Sequence, residues 1–184
     1  MHPVVVSLAA AALGFAPANH VAHQHRAASA KPTAGASAHV QLSTLESTLL
    51  GQINAVRASH GLRPFRRSYG LTAAATQHSR SMAQKGYFSH DSANGGAFWR
   101  RIATYYGYRG YRDWPVGENI LWSSPNVTPG SAFRMWMESP EHRANLLDRE
   151  WREIGLGAVH VASAPGVYAG DEVTIVTADF GIRR

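Results

Sequence analysis

Near residue 153 the chain changes its periodicity, and that change restricts the fold more than any other feature. Upstream, apolar residues recur at three- and four-residue spacing, as on one face of a helix. Downstream, "EIGLGAVHVA" (153–162) and "EVTIVTADFG" (172–181) are β-branched and partly alternating, so both read as strands. They are expected to form a meander across residues 163–171. Helices first and strands later imply an α+β domain in which one sheet is covered by helices. The 184 residues are enough for one such domain with a core of its own.

Local signals punctuate the helical part. Ser43-Thr44-Leu45-Glu46 has the form of a capping box. Leu45, Leu49, Ile53 and Val56 follow it at helical spacing, and Gly61 supplies a stop. A second helix is expected over residues 71–85, with Ala74, Ala75 and Ala83 permitting close packing and Gly86 ending it. A third, over 97–106, runs into the aromatic stretch "TYYGYRGYRDWP". Thr128-Pro129 primes a helix through Ser131–Met137. Ser139-Pro140 repeats the device and begins a turn that carries His142.

The first 42 residues read differently. Residues 4–16 are an apolar run too short to span a bilayer. Ala16-Pro17-Ala18 fits a signal-peptidase site, so residues 1–18 are expected to be a signal peptide. Ala28-Ser29-Ala30 offers a second site, placing cleavage as late as residue 30. Residues 19–42 are rich in Ala, His, Ser and Pro and read as a flexible linker. The folded domain is then 43–184. The chain contains no cysteine, which excludes disulfides and a Cys-ligated zinc. Export without cysteine points to a bacterium.

The formal charge is +6, and 16 of the 18 cations are arginine, whose guanidinium forks onto carboxylate or phosphate. A basic balance suits an anionic envelope surface. No nucleic-acid motif accompanies it, so no nucleic-acid partner is expected.

Three polar residues stand in apolar or glycine-rich settings: His90 in Phe-Ser-His, Glu118 in "VGENIL" and His142 in Ser-Pro-Glu-His. Two imidazoles and a carboxylate make a His₂Glu metal set with an open position. They also suit proton transfer near neutrality. Their separations, 28 and 24 residues, do not force convergence. Taken alone, His90 reads as a loop histidine bonded to backbone and Glu118 as a turn residue. His78 and His160 read as packing or surface residues, and Asn145 as a structural hydrogen-bonder. Trp99 and Ile102 are expected to face inward, whereas the tyrosines after Gly107 are expected to be exposed. Their rings suit the wall of a binding groove.

The segments "LLGQINAVRASHGLRPF", "LTAAATQHSRSMAQKGYFSH", "VGENILW", "AFRMWMESPEHRANLL" and "REIGLGAV", in this order, resemble a bacterial CAP-superfamily (SCP) domain of the cysteine-rich secretory, antigen 5 and pathogenesis-related type. The resemblance covers residues 43–184. It implies a three-layer α-β-α sandwich around a central, mainly antiparallel sheet. It also implies a cleft with two histidines and two acids. The histidines fall on His90 and His142 and the first acid on Glu118, with Asn119 bracing the cleft. The second acid is expected three residues after Trp136, and Ser139 stands there. Glu118 is thus expected to be the cleft's only carboxylate.

In that family the paired histidines can bind a divalent cation such as zinc, which here assigns His90 and His142 as ligands. The expected function is a secreted, monomeric binding module for a lipid, a peptide or an anionic envelope component. The alternative is a metal-dependent hydrolase of peptide or wall substrates with Glu118 as base. No HExxH helix, cysteine nucleophile or G-x-S-x-G elbow supports the latter.

Overall fold

Two glycines set how closely helix and sheet approach one another. The computed structural model describes residues 5–6 and 34–184, with side chains from residue 44 onward. In it, helix α2 (Tyr69–Lys85) lies across strand β4 (Glu153–Val161). A Cβ on Gly155 would sit 2.0 Å from the Leu71 carbonyl carbon, and one on Gly157 2.2 Å from the Thr76 nitrogen. No side chain fits there, so the backbones touch directly. Ala74 and Ala75, both fully buried, complete the close contact from the helix side.

The other elements are β1 (Val5–Val6), α1 (Ala34–Ser59), β2 (Arg66–Arg67), α3 (Phe98–Tyr105), β3 (Val116–Ser123), α4 (Pro129–Glu138), α5 (Pro140–Leu147) and β5 (Val173–Gly181). The sheet order is β1-β3-β5-β4-β2. Long strands β3, β5 and β4 pair antiparallel, and the two dipeptide strands add parallel edges. The expected β4–β5 meander is present. One register line joins Glu118, Asp179 and Gly155 across the three long strands.

Alternation then assigns the two faces. Val116, Glu118 and Ile120 of β3 share the face of Gly155, Gly157 and Asp179, covered by α2 and α3. Asn119 and Leu121 share the face of Ala178 and Phe180. There Leu49, Ile53, Trp136 and Leu146 from α1, α4 and α5 build the larger apolar core. The result is the α-β-α sandwich, with helices on both faces.

Gly86 closes α2 at φ 69° and Thr128 makes a capping box with Ser131, both as expected, whereas Ser68, an unexpected cap, accepts a hydrogen bond from the Leu71 N–H and starts α2 at Tyr69 instead of residue 71. Helix α1 is a correction. It begins at Ala34, so Ser43 lies inside it and is no cap. Glu46, the acid of the supposed box, instead accepts from the Ala158 N–H at 2.8 Å, on a stretch of β4 that β2 leaves unpaired. The signal-peptide and linker assignments lie outside the described residues except at Val5–Val6 and Ala34–Leu42, the latter being helix.

Arg57 holds α5 in place. Its fully buried guanidinium lies 3.7 Å over the Phe65 ring and donates to the carbonyls of Leu146 (2.7 Å) and Asp148 (2.9 Å). Cationic donors at a helix C-terminus meet its unpaired carbonyls. The helix so anchored carries His142.

Candidate functional site

Glu118 does not occupy a turn. It is the third residue of β3, and its side chain is wholly buried between the sheet and helices α2 and α3. A carboxylate there needs partners. Arg101, projecting from α3 beside Phe98 and Ile102, forms a charged hydrogen bond to Glu118 Oε2. His90 Nδ1 donates to Oε1 at 2.8 Å, and His78 Nε2 lies 3.8 Å from that oxygen. Burial alone would raise the Glu118 pKa. Burial is the largest single effect, but Arg101, His78 and His90 together outweigh it, Arg101 most, and the pKa falls to about 2.

A second carboxyl faces Glu118, contrary to the expectation of a single one. Asp179 is its register partner on β5 and is completely buried; no donor of another residue reaches its oxygens, and its own proton can bond the Glu118 carboxylate. Burial, followed by the Glu118 charge, drives its pKa well above the carboxylate range, against the pull of Arg101. The charge balance is simple: one guanidinium neutralises one carboxylate, so the other carboxyl keeps its proton. His78 is fully buried and donates from Nε2 to the Ser89 carbonyl at 2.9 Å. Burial lowers its pKa to about 4 despite Glu118, leaving it neutral at pH 7.

Arg101 also orders the loop that carries His90, reaching the His90 carbonyl at 3.2 Å and the Ser92 hydroxyl at 3.3 Å. With Nδ1 donating to Glu118, the Nε2 of His90 keeps its lone pair. That atom is buried and has no hydrogen-bond partner.

His142 approaches from the opposite layer. It is buried on α5, and its Nε2 is likewise buried without a partner. Burial lowers its pKa, and so does nearby His90, with Glu141 opposing. The two imidazoles are thus within electrostatic range and both present an unengaged Nε2. Among the described residues Glu118 bonds His90 and not His142.

Asn119 points to the other face and fixes α5. Its amide donates to the His142 carbonyl at 3.0 Å and accepts from Asn145 Nδ2 at 2.8 Å. Asn145 is the structural hydrogen-bonder its sequence position suggested. Ser139 caps the junction of α4 and α5, its hydroxyl donating to Glu141 Oε2 at 3.2 Å, away from the Glu118 cluster. His160 sits near the surface beside Glu172.

Arg101 and Asp179 escape notice in the sequence, and His78 has the look of ordinary packing there. Signals exist nonetheless. Arg101 lies three residues after buried Phe98, on the same helical face, and Asp179 interrupts an apolar strand. An ionisable residue in either setting has to be paired or neutral.

Residues 50–180 match the family described as CAP, the cysteine-rich secretory protein family. The uncharacterised protein YkwD of Bacillus subtilis is 31% identical over 127 residues, which cover 69% of this chain and 47% of that protein. The uncharacterised membrane protein YlbC of the same organism is 30% identical over 115 residues, 62% of this chain and 31% of that protein. The chain therefore spans about half of one relative and a third of the other. Among solved structures, an extracellular SCP-domain protein of Bacillus anthracis superposes with a TM-score of 0.64 and 25% identity, covering 84% of this chain and 45% of that one. An outer surface protein of Borrelia burgdorferi shares the fold, with a TM-score of 0.58, 16% identity, and coverage of 77% of this chain and 94% of that one. No helix among the described residues is long and apolar enough to cross a membrane.

Proposed function

Since the chain belongs to the bacterial CAP superfamily of SCP-domain proteins, we propose that it is a secreted or envelope-facing binding module whose cleft takes a divalent cation, zinc, on His90 and His142. One observation carries this reading. Two imidazoles, a half-buried His90 and a buried His142 from opposite layers of the sandwich, each leave a buried Nε2 without a hydrogen-bond partner. A buried polar atom left unpaired is costly unless something binds it. The donor chemistry fits, because neutral imidazole is a zinc ligand and burial keeps His142 neutral. Glu118 then acts behind the ligand: it holds His90 by Nδ1 and so aims Nε2 outward.

The described residues contain no group of three or more His, Cys, Asp or Glu suited to a metal. The protein would thus supply two ligands and leave the remaining positions to solvent or to a bound anion. Such a cation would give the cleft a localised positive charge for anchoring an oxygen-bearing ligand. The extracellular and outer-surface relatives support placement outside the cytoplasm.

The hydrolase alternative requires a base near neutrality. Glu118, buried, paired with Arg101 and with its pKa down to about 2, is ill suited to that task. The geometry therefore favours binding. Zinc titration by calorimetry tests the reading: the wild type is expected to bind, and the His90→Ala, His142→Ala double variant to lose it. A double variant that binds like the wild type sinks the metal site.

A further inference from the structure

Five large hydrophobic side chains are exposed among the described residues, and four of them are tyrosines: Tyr69, Tyr105, Tyr108 and Tyr111. They gather at one end of the sheet. Tyr69 opens α2 next to β2, Tyr105 closes α3, and the other two lie on the loop that leads into β3. Arginines are laced between them. Arg67 lies 5.6 Å over the Tyr69 ring, and Arg183 lies 4.1 Å over Tyr106 and 5.2 Å over Tyr111. Glu153 bridges Arg66 (3.9 Å) and Arg183 (3.7 Å), tying the Arg183 stack to the strand whose next residue, Arg67, carries the Tyr69 stack. Asp113 continues the surface to Arg112 (3.6 Å) and Arg184 (3.7 Å). Cations outnumber carboxylates along this run, and the Arg66 and Arg112 side chains remain 78% and 85% exposed.

We propose that this tyrosine–arginine end is a docking surface for an acidic polysaccharide, a sugar chain bearing anionic groups. Tyrosine rings offer flat faces to the C–H faces of sugars, and their hydroxyls remain available as polar handles. Stacked guanidiniums, held in place by the rings, fork onto anionic substituents with little ordering left to complete. The interspersed carboxylates can accept hydrogen bonds from sugar hydroxyls. The exposed rings are all tyrosines, and among the described residues no exposed Trp, Phe, Leu or Ile is available to enter a bilayer.

This surface rests on the envelope-facing placement proposed above and is independent of the metal. The full chain is titrated calorimetrically with polygalacturonate, with dextran as the neutral control. Salt-sensitive binding to polygalacturonate and none to dextran is expected. The Arg67→Ala, Tyr69→Ala, Tyr111→Ala variant removes only exposed side chains. Its affinity should fall at least about tenfold, the scale expected when ring stacking and cation–π attraction are removed together. Its zinc titration should match the wild type. Wild-type affinity in the triple variant, or no polygalacturonate binding by the wild type, overturns the proposal. So does tighter binding to a single-stranded oligonucleotide or to phosphatidylglycerol vesicles. Loss of zinc binding by His90→Ala, His142→Ala with polysaccharide binding intact supports both readings at once. A wild type that binds polysaccharide but not zinc removes the metal reading alone.

Discussion

Glu118 and Asn119 are chain neighbours that face two different interiors. Glu118 turns to the α2–α3 face, where Arg101, His78 and Asp179 make a buried charged cluster. Asn119 turns to the α5 face, where its own polar contacts are the Asn145 amide and the His142 carbonyl, beside an apolar core. Both faces are dry, but they balance polarity differently. Around Asn119 itself every hydrogen bond is between neutral groups and no carboxyl proton is in question. On the charged side stability depends on which carboxyl holds a proton. The protonation of each acid is thus set by its cluster and not by its own residue type.

Removing a partner from each face should break the two unequally. Arg101→Ala leaves buried Glu118 without its guanidinium, with the His90 hydrogen bond on Oε1 remaining, and frees the His90 loop; a loss of about 3–5 kcal/mol in denaturant unfolding is expected, together with weaker zinc binding. Asn145→Ala removes a neutral donor and should cost about 1–3 kcal/mol, with little dependence on pH. Equal losses for the two variants would end the distinction.

Acid sharpens it further. His78 has a folded pKa of about 4, below the ordinary histidine value of 6.5. Its contribution is fully present above pH 6.5 and is lost as pH falls toward 4, because the unfolded chain takes up a proton that the folded one refuses. The loss should be on the order of 3 kcal/mol over that window. His78→Gln keeps a donor for the Ser89 carbonyl and should flatten this part of the stability–pH curve relative to the wild type. Parallel curves would place the titration elsewhere.

The smallest expected change has the opposite sign. Asp179 has a raised folded pKa, so the wild type loses stability as pH rises above the carboxyl's ordinary value, where only the unfolded chain ionises. Asp179→Asn imitates the protonated acid. It should gain on the order of 1 kcal/mol at pH 7, with the advantage vanishing near about pH 4. A variant less stable than the wild type at pH 7 would mean that the wild-type carboxylate is ionised and useful.

How much of this is legible in the sequence depends on the distance over which each feature is decided. Thr128-Pro129, Ser139-Pro140 and Gly86 mark helix ends through contacts three or four residues away, and the helices end or begin at them. Ser43 and Glu46 have the same local form, yet α1 begins nine residues earlier at Ala34, and Glu46 reaches a sheet edge far along the chain. The glycines at 155 and 157 look like ordinary strand residues until α2 is placed against them.

Residue order by itself determined the succession of helices and strands, the caps that delimit most of them, and the polar residues that had to find partners if buried. Those follow from short-range backbone sterics and periodicity. Only the tertiary structure decided that Glu118 meets Asp179, 61 residues away, and Arg101, 17 residues away. Strand register and helix packing made those neighbours, and in a dry interior the neighbours settle which carboxyl is charged.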